Sequence, residues 1–350
     1  MSTTTLARPA GTEAAVVRRT RRRGGALVTG ALALLALALF VVTLMVGSFR
    51  LTPWEVVGSV THLVDDPAVD FIVRGLRLPV AATGIAAGLA LGMSGAIFQK
   101  LLANPLASPD FVGVSSGASF AAVTVIVFFN ASSAVISGSA LVGAIVSAAL
   151  VYVLALRNGL SGYRFILVGI GISEFFLSLV GYVLARAELF QARAAMTWLV
   201  GSLGQAGSGE LWALVAALVV LLPAALLLER PLRSLELGDD AARALGTRVE
   251  VHRLALISVA VVLVAFATAA VGPIVFVALI AGPVARRLLG PAGGHVFAAG
   301  LVGASLLLAS DLLAANLFGT PLPTGLVTGA VGAPYLVWLL VTANREGRGG

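Results

Sequence analysis

Three observations predict an all-α, polytopic membrane fold of about ten transmembrane helices with both termini cytoplasmic. Hydrophobic residues make up 59% of the 350-residue chain, charged residues only 11%, and the mean hydropathy is +1.03. A soluble domain needs roughly 25% charged residues to cover its surface, so lipid is the main solvent here. The apolar residues also gather into long runs, and a run of about 20 crosses the ~30 Å hydrocarbon core as a helix. Finally, the cations alternate between connections, as the positive-inside rule requires.

Ten runs can be placed in order. They cover Ala26–Val46, Leu78–Phe98, Phe111–Phe129, Gly138–Leu156, Phe165–Ala185, Leu211–Leu228, Leu254–Val271, Ile274–Leu289, Val296–Leu313 and Gly325–Ala343. Only Gly272 and Pro273 separate the seventh from the eighth. Ahead of the first stand Arg18, Arg19, Arg21, Arg22 and Arg23, which resemble a signal-peptide n-region. The apolar run is long and no small-residue cleavage site follows it, so it reads as an uncleaved span. The organisation is then a basic tail over 1–25, a membrane domain over 26–343 with a polar inner segment at 229–253, and a short tail over 344–350.

Of the 23 basic residues, five fall outside in this arrangement: Arg50, Arg74, Arg77, Arg186 and Arg193. The rest lie in the N-terminal tail, at Lys100, at Arg157 and Arg164, from Arg230 to Arg253, at Arg286 and Arg287, and at Arg345 and Arg348. One span more or fewer would scramble that pattern. The net charge of +7 thus belongs to short arginine clusters between apolar runs, which is no nucleic-acid surface. The chain has no cysteine, which excludes disulfides, thiol catalysis and thiolate metal sites. His62, His252 and His295 are too dispersed for a metal centre, and no cofactor is expected.

Four connections carry more than a loop needs. The first is Arg74-Gly-Leu-Arg-Leu-Pro79, at the outer mouth of the second run. If it is helical, Arg74 and Arg77 share a face, either snorkelling to the interface or offering a cationic dock to an acidic partner. The second runs from Gln99 through Asn104, Pro105 and Pro109 to Ser115, Ser116 and Gly117. Small residues allow close helix approach, and the prolines free backbone groups that Asn104, Ser108 or water must satisfy.

The third is Glu229–Arg253. After Gly238, Asp239 and Asp240 open a short helix, Ala241, Ala242, Ala244 and Leu245 continue it, and Gly246 stops it. The last is a Gly-, Pro- and Thr-rich third of the chain: Gly272–Ile280, Asp311 and Pro321–Pro334. It suggests closely packed or interrupted helices around a pathway. Two acids, Glu174 and Asp311, lie within apolar runs, where ionisable groups face protein or water. A lone intramembrane acid is expected to hydrogen-bond a neighbouring helix; the other reading is a proton or cation site of an ion-coupled transporter.

Together these segments resemble the permease family of iron-siderophore, haem and vitamin B12 ABC importers, the large ten-helix type. The resemblance covers about Arg74 to Leu340. It rests on the run from Leu78 through Ser94-Gly-Ala-Ile-Phe-Gln99, Asn104-Pro-Leu-Ala107 and Gly113-Val-Ser-Ser-Gly117. It continues in Trp198-Leu-Val-Gly-Ser-Leu203, Leu237-Gly-Asp-Asp-Ala-Ala-Arg-Ala-Leu-Gly246, Pro323-Thr-Gly325 and Gly332-Ala-Pro334.

The resemblance implies ferric-siderophore import, with haem or vitamin B12 as alternative cargo. It implies pairing with a second permease about a central pathway, a separate extracytoplasmic binding protein, and separate ATP-binding subunits. The chain itself would be no enzyme, and no Gly-x-x-x-x-Gly-Lys-Ser/Thr phosphate loop is present. Leu237, Gly238, Asp239, Asp240, Ala241, Ala242, Leu245 and Gly246 would form the helix that couples to the ATPase. Arg74 and Arg77 would dock the binding protein. Gln99, Asn104, Pro105, Ser115, Ser116, Gly117 and Asp311 would serve the pathway or helix packing. The chain departs from the family pattern at Val80, Gly282, Pro283 and Ala315. Its Gly272-Pro-Ile-Val-Phe-Val-Ala-Leu279 with Ala285-Arg-Arg287 looks like the second permease of heterodimeric ferric-siderophore systems.

Overall fold

The computed structural model describes residues 10–47, 49–63, 66–156, 162–290 and 295–346. Arg8, Arg157 and Arg348 lie outside the described residues, as do the first part of the basic tail and the end of the C-terminal one. Fifteen α-helices make up the described fold. They are α1 (Ala10–Met45), α2 (Pro53–Val60), α3 (Pro67–Asp70), α4 (Leu78–Leu101), α5 (Val114–Phe129), α6 (Ser133–Ala155), α7 (Gly162–Ala185) and α8 (Leu189–Val200). Then follow α9 (Ser208–Leu227), α10 (Glu229–Leu235), α11 (Asp239–Ala244), α12 (Val249–Val271), α13 (Val277–Leu289), α14 (His295–Asn316) and α15 (Thr324–Glu346). The ten apolar runs fall on α1, α4, α5, α6, α7, α9, α12, α13, α14 and α15, one run to each helix. Among the described residues, seven helical stretches are long and apolar enough to cross a membrane by themselves.

The bundle is organised around α4. Lipid gives helices no hydrophobic reason to associate, so packing depends on close backbone approach between small residues. Gly88 and Gly92 of α4 lie against α14 so closely that a Cβ on Gly92 would sit 2.2 Å from the Ala299 carbonyl oxygen. The fit is mutual, because a Cβ on Gly303 would sit 2.2 Å from the Gly88 carbonyl oxygen. Gly95 turns the next face of α4 to α13, with the Ala278 carbonyl 1.9 Å from where its Cβ would be. The buried Ser94 hydroxyl donates to the Ala260 carbonyl of α12 at 2.8 Å. α5 and α6 repeat the device through Gly117 and Gly143, each placed against the other's carbonyl oxygen.

Contacts sort the connections into two opposite ends, following the alternation of charge. At one end Lys100 meets Glu236 at 3.2 Å, Leu102 reaches Gly162, and Gly25 lies beside Leu289. At the other, Arg77 reaches back to Leu44 and Phe49, Ser133 bonds Glu210 at 3.0 Å, and Ser202 N–H donates to the Val271 carbonyl at 2.8 Å.

Two predicted boundaries are corrected. The third run does not begin as helix at Phe111: Pro109–Val112 forms a 3-10 turn, Gly113 is left-handed with φ of +79°, and α5 starts at Val114. Likewise α13 begins at Val277 rather than Ile274, because Gly272 (φ +76°) and Phe276 (φ +69°) bracket a stretch without regular structure. At 13 residues, α13 is only about 20 Å long and cannot cross the bilayer unaided.

Candidate functional site

At the end carrying most of the cations, the polar connection folds into α10 and α11 as two short helices at a turn. Gly238 enters α11 with φ of +92° and Gly246 leaves it with φ of +82°, conformations that side chains rarely adopt. The exit is a Schellman arrangement, in which Thr247 N–H donates to the Ala242 carbonyl and Gly246 N–H to the Arg243 carbonyl, both at 2.9 Å. Ala242 is fully buried, while Leu237, Asp240 and Leu245 are exposed. Asp239 and Asp240 therefore differ in what they do. Asp239 accepts from Arg253 of α12 at 2.6 Å, which fixes the short helix to the bundle. Asp240 points outward, with Arg243 at 3.0 Å.

Next to this knuckle, the connection from α4 to α5 turns back into the protein. Ala103 is left-handed, and Asn104 holds the turn by accepting from Leu106 N–H on its side chain and from Ala107 N–H on its carbonyl, ahead of Pro105. The Asp110 carboxylate accepts from Ser115 at 2.5 Å and Ser108 at 3.1 Å. Ser116 and Ser147 both donate to the Gly113 carbonyl, at 3.0 and 2.6 Å. Buried Gln99 donates to the Leu279 carbonyl at 2.9 Å. A Cβ on Gly282 would lie 2.0 Å from Gln99 Oε1, so Gly282 is the notch that Gln99 occupies. Asn104, Ser116, Gly117 and Gln99 are thus engaged in turn, packing and backbone satisfaction within this chain.

The opposite end joins three interrupted segments. Fully buried Thr324 donates to the Asp311 carboxylate at 2.7 Å and accepts from Leu203 N–H at 3.3 Å. Gly325 N–H donates to the Gly201 carbonyl at 3.0 Å, and a Cβ on Gly325 would fall 1.9 Å from the Val200 carbonyl oxygen. Gly272 also packs close, with the Trp198 carbonyl oxygen 2.6 Å from where its Cβ would be. Trp198–Leu203, Gly272–Pro273 and Pro323–Gly325, which are far apart in the chain, are one junction in the fold.

Arg74 and Arg77 do not share a free face. Residues 71–77 form a π-helix, whose wider turn rotates residues three apart away from each other. Arg74 donates to the Ser59 carbonyl and lies 2.9 Å from His62 Nδ1, while Arg77 donates to the carbonyls of Leu44 (2.9 Å) and Phe49. Both pin the outer connection onto α4. Arg77 and Asp311 border a cavity of about 150 Å³ whose walls include Val80 and Ala315. The cations left exposed at this end are Arg50, Arg186 and Arg193, which patterning alone had no means of separating from the other two.

The two membrane acids part company. Asp311 has its partner in Thr324. Glu174, near the middle of α7, is exposed, and its carboxylate has no hydrogen-bond or ion-pair partner among the described residues, contrary to the expected bond to a neighbouring helix. A larger cavity of about 620 Å³ opens between the outer ends of α6, α9 and α12, beside Ser133, Ser137, Glu210 and Phe266, and involves none of the predicted residues.

The profile of the FecCD transport family matches residues 34–342. Over 284 residues the chain is 43% identical to the ferric enterobactin transport system permease protein FepG of Escherichia coli, covering 80% of this chain and 85% of that one. It is 38% identical to the achromobactin transport system permease protein CbrC of Dickeya dadantii, covering 88% and 89%. It is 35% identical to the iron(3+)-hydroxamate import system permease protein FhuG of Bacillus subtilis, covering 89% and 95%. A solved structure of an inward-facing metal-chelate type ABC transporter superposes with a TM-score of 0.78 at 28% identity, over 90% of this chain and 98% of that chain. Since the family match reaches into all ten membrane helices, the chain is a member of the FecCD transport family.

Proposed function

We propose that the chain is the membrane-spanning permease subunit of an ATP-driven importer that carries ferric siderophores across the cytoplasmic membrane. The observation that carries the reading is the agreement of relatives over four fifths or more of the chain: each is a transport permease named for a ferric chelate or a siderophore. Haem and vitamin B12 remain alternative cargoes of the same architecture. ATP is hydrolysed on separate subunits, which seat against α11, where Leu237, Asp240 and Leu245 present an apolar and acidic surface held in place by Asp239 and Arg253.

A second permease completes the pathway. In support, the iron(3+)-hydroxamate permease FhuB of Escherichia coli matches 77% of this chain with only 41% of its own length, which leaves room for another unit of this size. An extracytoplasmic binding protein docks on the outer cations, with Arg74 and Arg77 holding the outer connection and Arg50, Arg186 and Arg193 exposed at the same end.

Ala242→Pro tests the coupling surface, since proline in this six-residue helix removes a backbone donor and clashes with the preceding turn. Chelate uptake falls to background while the chain still reaches the membrane; full uptake by this variant sinks the coupling role. ATP depletion with the ion gradient intact abolishes uptake. Uptake that instead follows the ion gradient returns the ion-coupled reading.

A further inference from the structure

The buried face of α7 is a single line, Phe165, Gly169, Phe176, Val180 and Val183, set against α5 and α6. The opposite face carries Gly171, Glu174, Ser178 and Gly181 at helical spacing, and all four are exposed. A Cβ added to Gly171 or Gly181 would meet nothing within 4 Å, so these glycines relieve no crowding within the chain. At 24 residues α7 is about 36 Å long, which puts Glu174 close to the midplane of the bilayer. An unpaired carboxylate does not persist against hydrocarbon at that depth; it faces water or protein. The only other charges between residues 162 and 186 are Arg164 and Arg186, one at each end of the helix, and Arg186 lies over the Tyr182 ring at 5.3 Å.

We propose that Glu174 projects into the water-filled route through the assembled importer and makes that route selective for neutral or cationic ferric chelates over anionic ones. The proposal rests on the importer reading above and narrows its substrate class. Three singly charged hydroxamates neutralise iron(III), whereas three doubly charged catecholates leave a strongly anionic complex. Coulomb repulsion across a narrow, partly desolvated passage disfavours an anion on the order of tenfold per unit charge. The arginines at the two mouths sit where solvent and salt screen them, so they offset this little. The relative named for ferric enterobactin does not by itself fix the cargo of this chain.

Because the chain has no native cysteine, Ser178→Cys gives a single thiol one helical turn from Glu174. In membranes holding the assembled importer, a cationic methanethiosulfonate modifies Cys at 178 about tenfold faster than an anionic one of similar size, corrected for their intrinsic rates. Adding Glu174→Gln abolishes that preference. Absence of labelling by either reagent places the face in lipid or a dry interface and overturns the proposal, as does a preference unchanged by Glu174→Gln. In uptake assays Glu174→Gln raises import of an iron(III) tris-catecholate relative to a neutral tris-hydroxamate by about tenfold or more, and an unchanged ratio overturns the selectivity. Failure to import either chelate sinks the ferric-siderophore reading itself, a result separate from the labelling, which needs no cargo.

Discussion

α4 and α7 are both 24 residues long and both apolar throughout most of their length, yet they occupy opposite environments. Of the most apolar stretch of the helix containing α4, 78% is buried within the protein; for α7 the share is 22%. Their glycines account for the contrast. Gly88, Gly92 and Gly95 of α4 face backbone on α13 and α14 at distances no side chain tolerates, whereas Gly171 and Gly181 of α7 face open space. Glycine in a membrane helix is therefore not one signal but two: a notch already filled by the same chain, or a smooth surface left for something outside it.

The most severe way to break the contrast is to fill the notch. Gly92→Val drives a side chain into the Ala299 carbonyl, where only backbone movement makes room. A loss of about 3 kcal/mol or more follows, read as a large fall in the unfolding temperature of the detergent-solubilised chain and in its yield. A smaller loss follows from Thr324→Val, which leaves the Asp311 carboxylate without its donor and Leu203 N–H without its acceptor. About 1–3 kcal/mol is expected from such a buried unpaired group, with Asp311→Asn partly restoring stability in the double variant. The mildest change sharpens the comparison from the other side. Gly171→Ala and Gly181→Ala are neutral or stabilising by about 0.5–1 kcal/mol in the isolated chain, whereas uptake by the assembled importer falls. Unchanged uptake would mean that lipid alone covers this face.

The contrast also marks what could be read without coordinates. Hydropathy placed all ten runs on helices, since an apolar run needs no partner to be recognised, even where the helix, as in α13, is too short to cross alone. The α11 knuckle was legible for a local reason: acids in the first turn and a glycine at each end fall within ten residues. What escaped depends on distant partners. Arg74 and Arg77 bond to carbonyls 15 to 33 residues away, and no pattern within Phe71–Leu78 reveals that those fork positions are taken. Glu174 and Asp311 look alike in sequence; only the return of Thr324 to α14 distinguishes them. The late start of α13 follows from Phe276 adopting a left-handed backbone, which is uncommon for an aromatic residue and is not foretold by Gly-Pro four residues earlier.

Lys100, the only lysine in the chain, is almost wholly buried at the inner end of α4 and meets Glu236, one residue beyond α10. Together with the Arg253–Asp239 pair it gives the α10–α11 knuckle two anchorages, one on the central helix and one on α12. Two anchorages make a lever arm instead of a hinge flap. A displacement applied at the knuckle is divided between α4 and α12, and the glycine notches that lock α4 to α13 and α14 leave little slack in which it could dissipate.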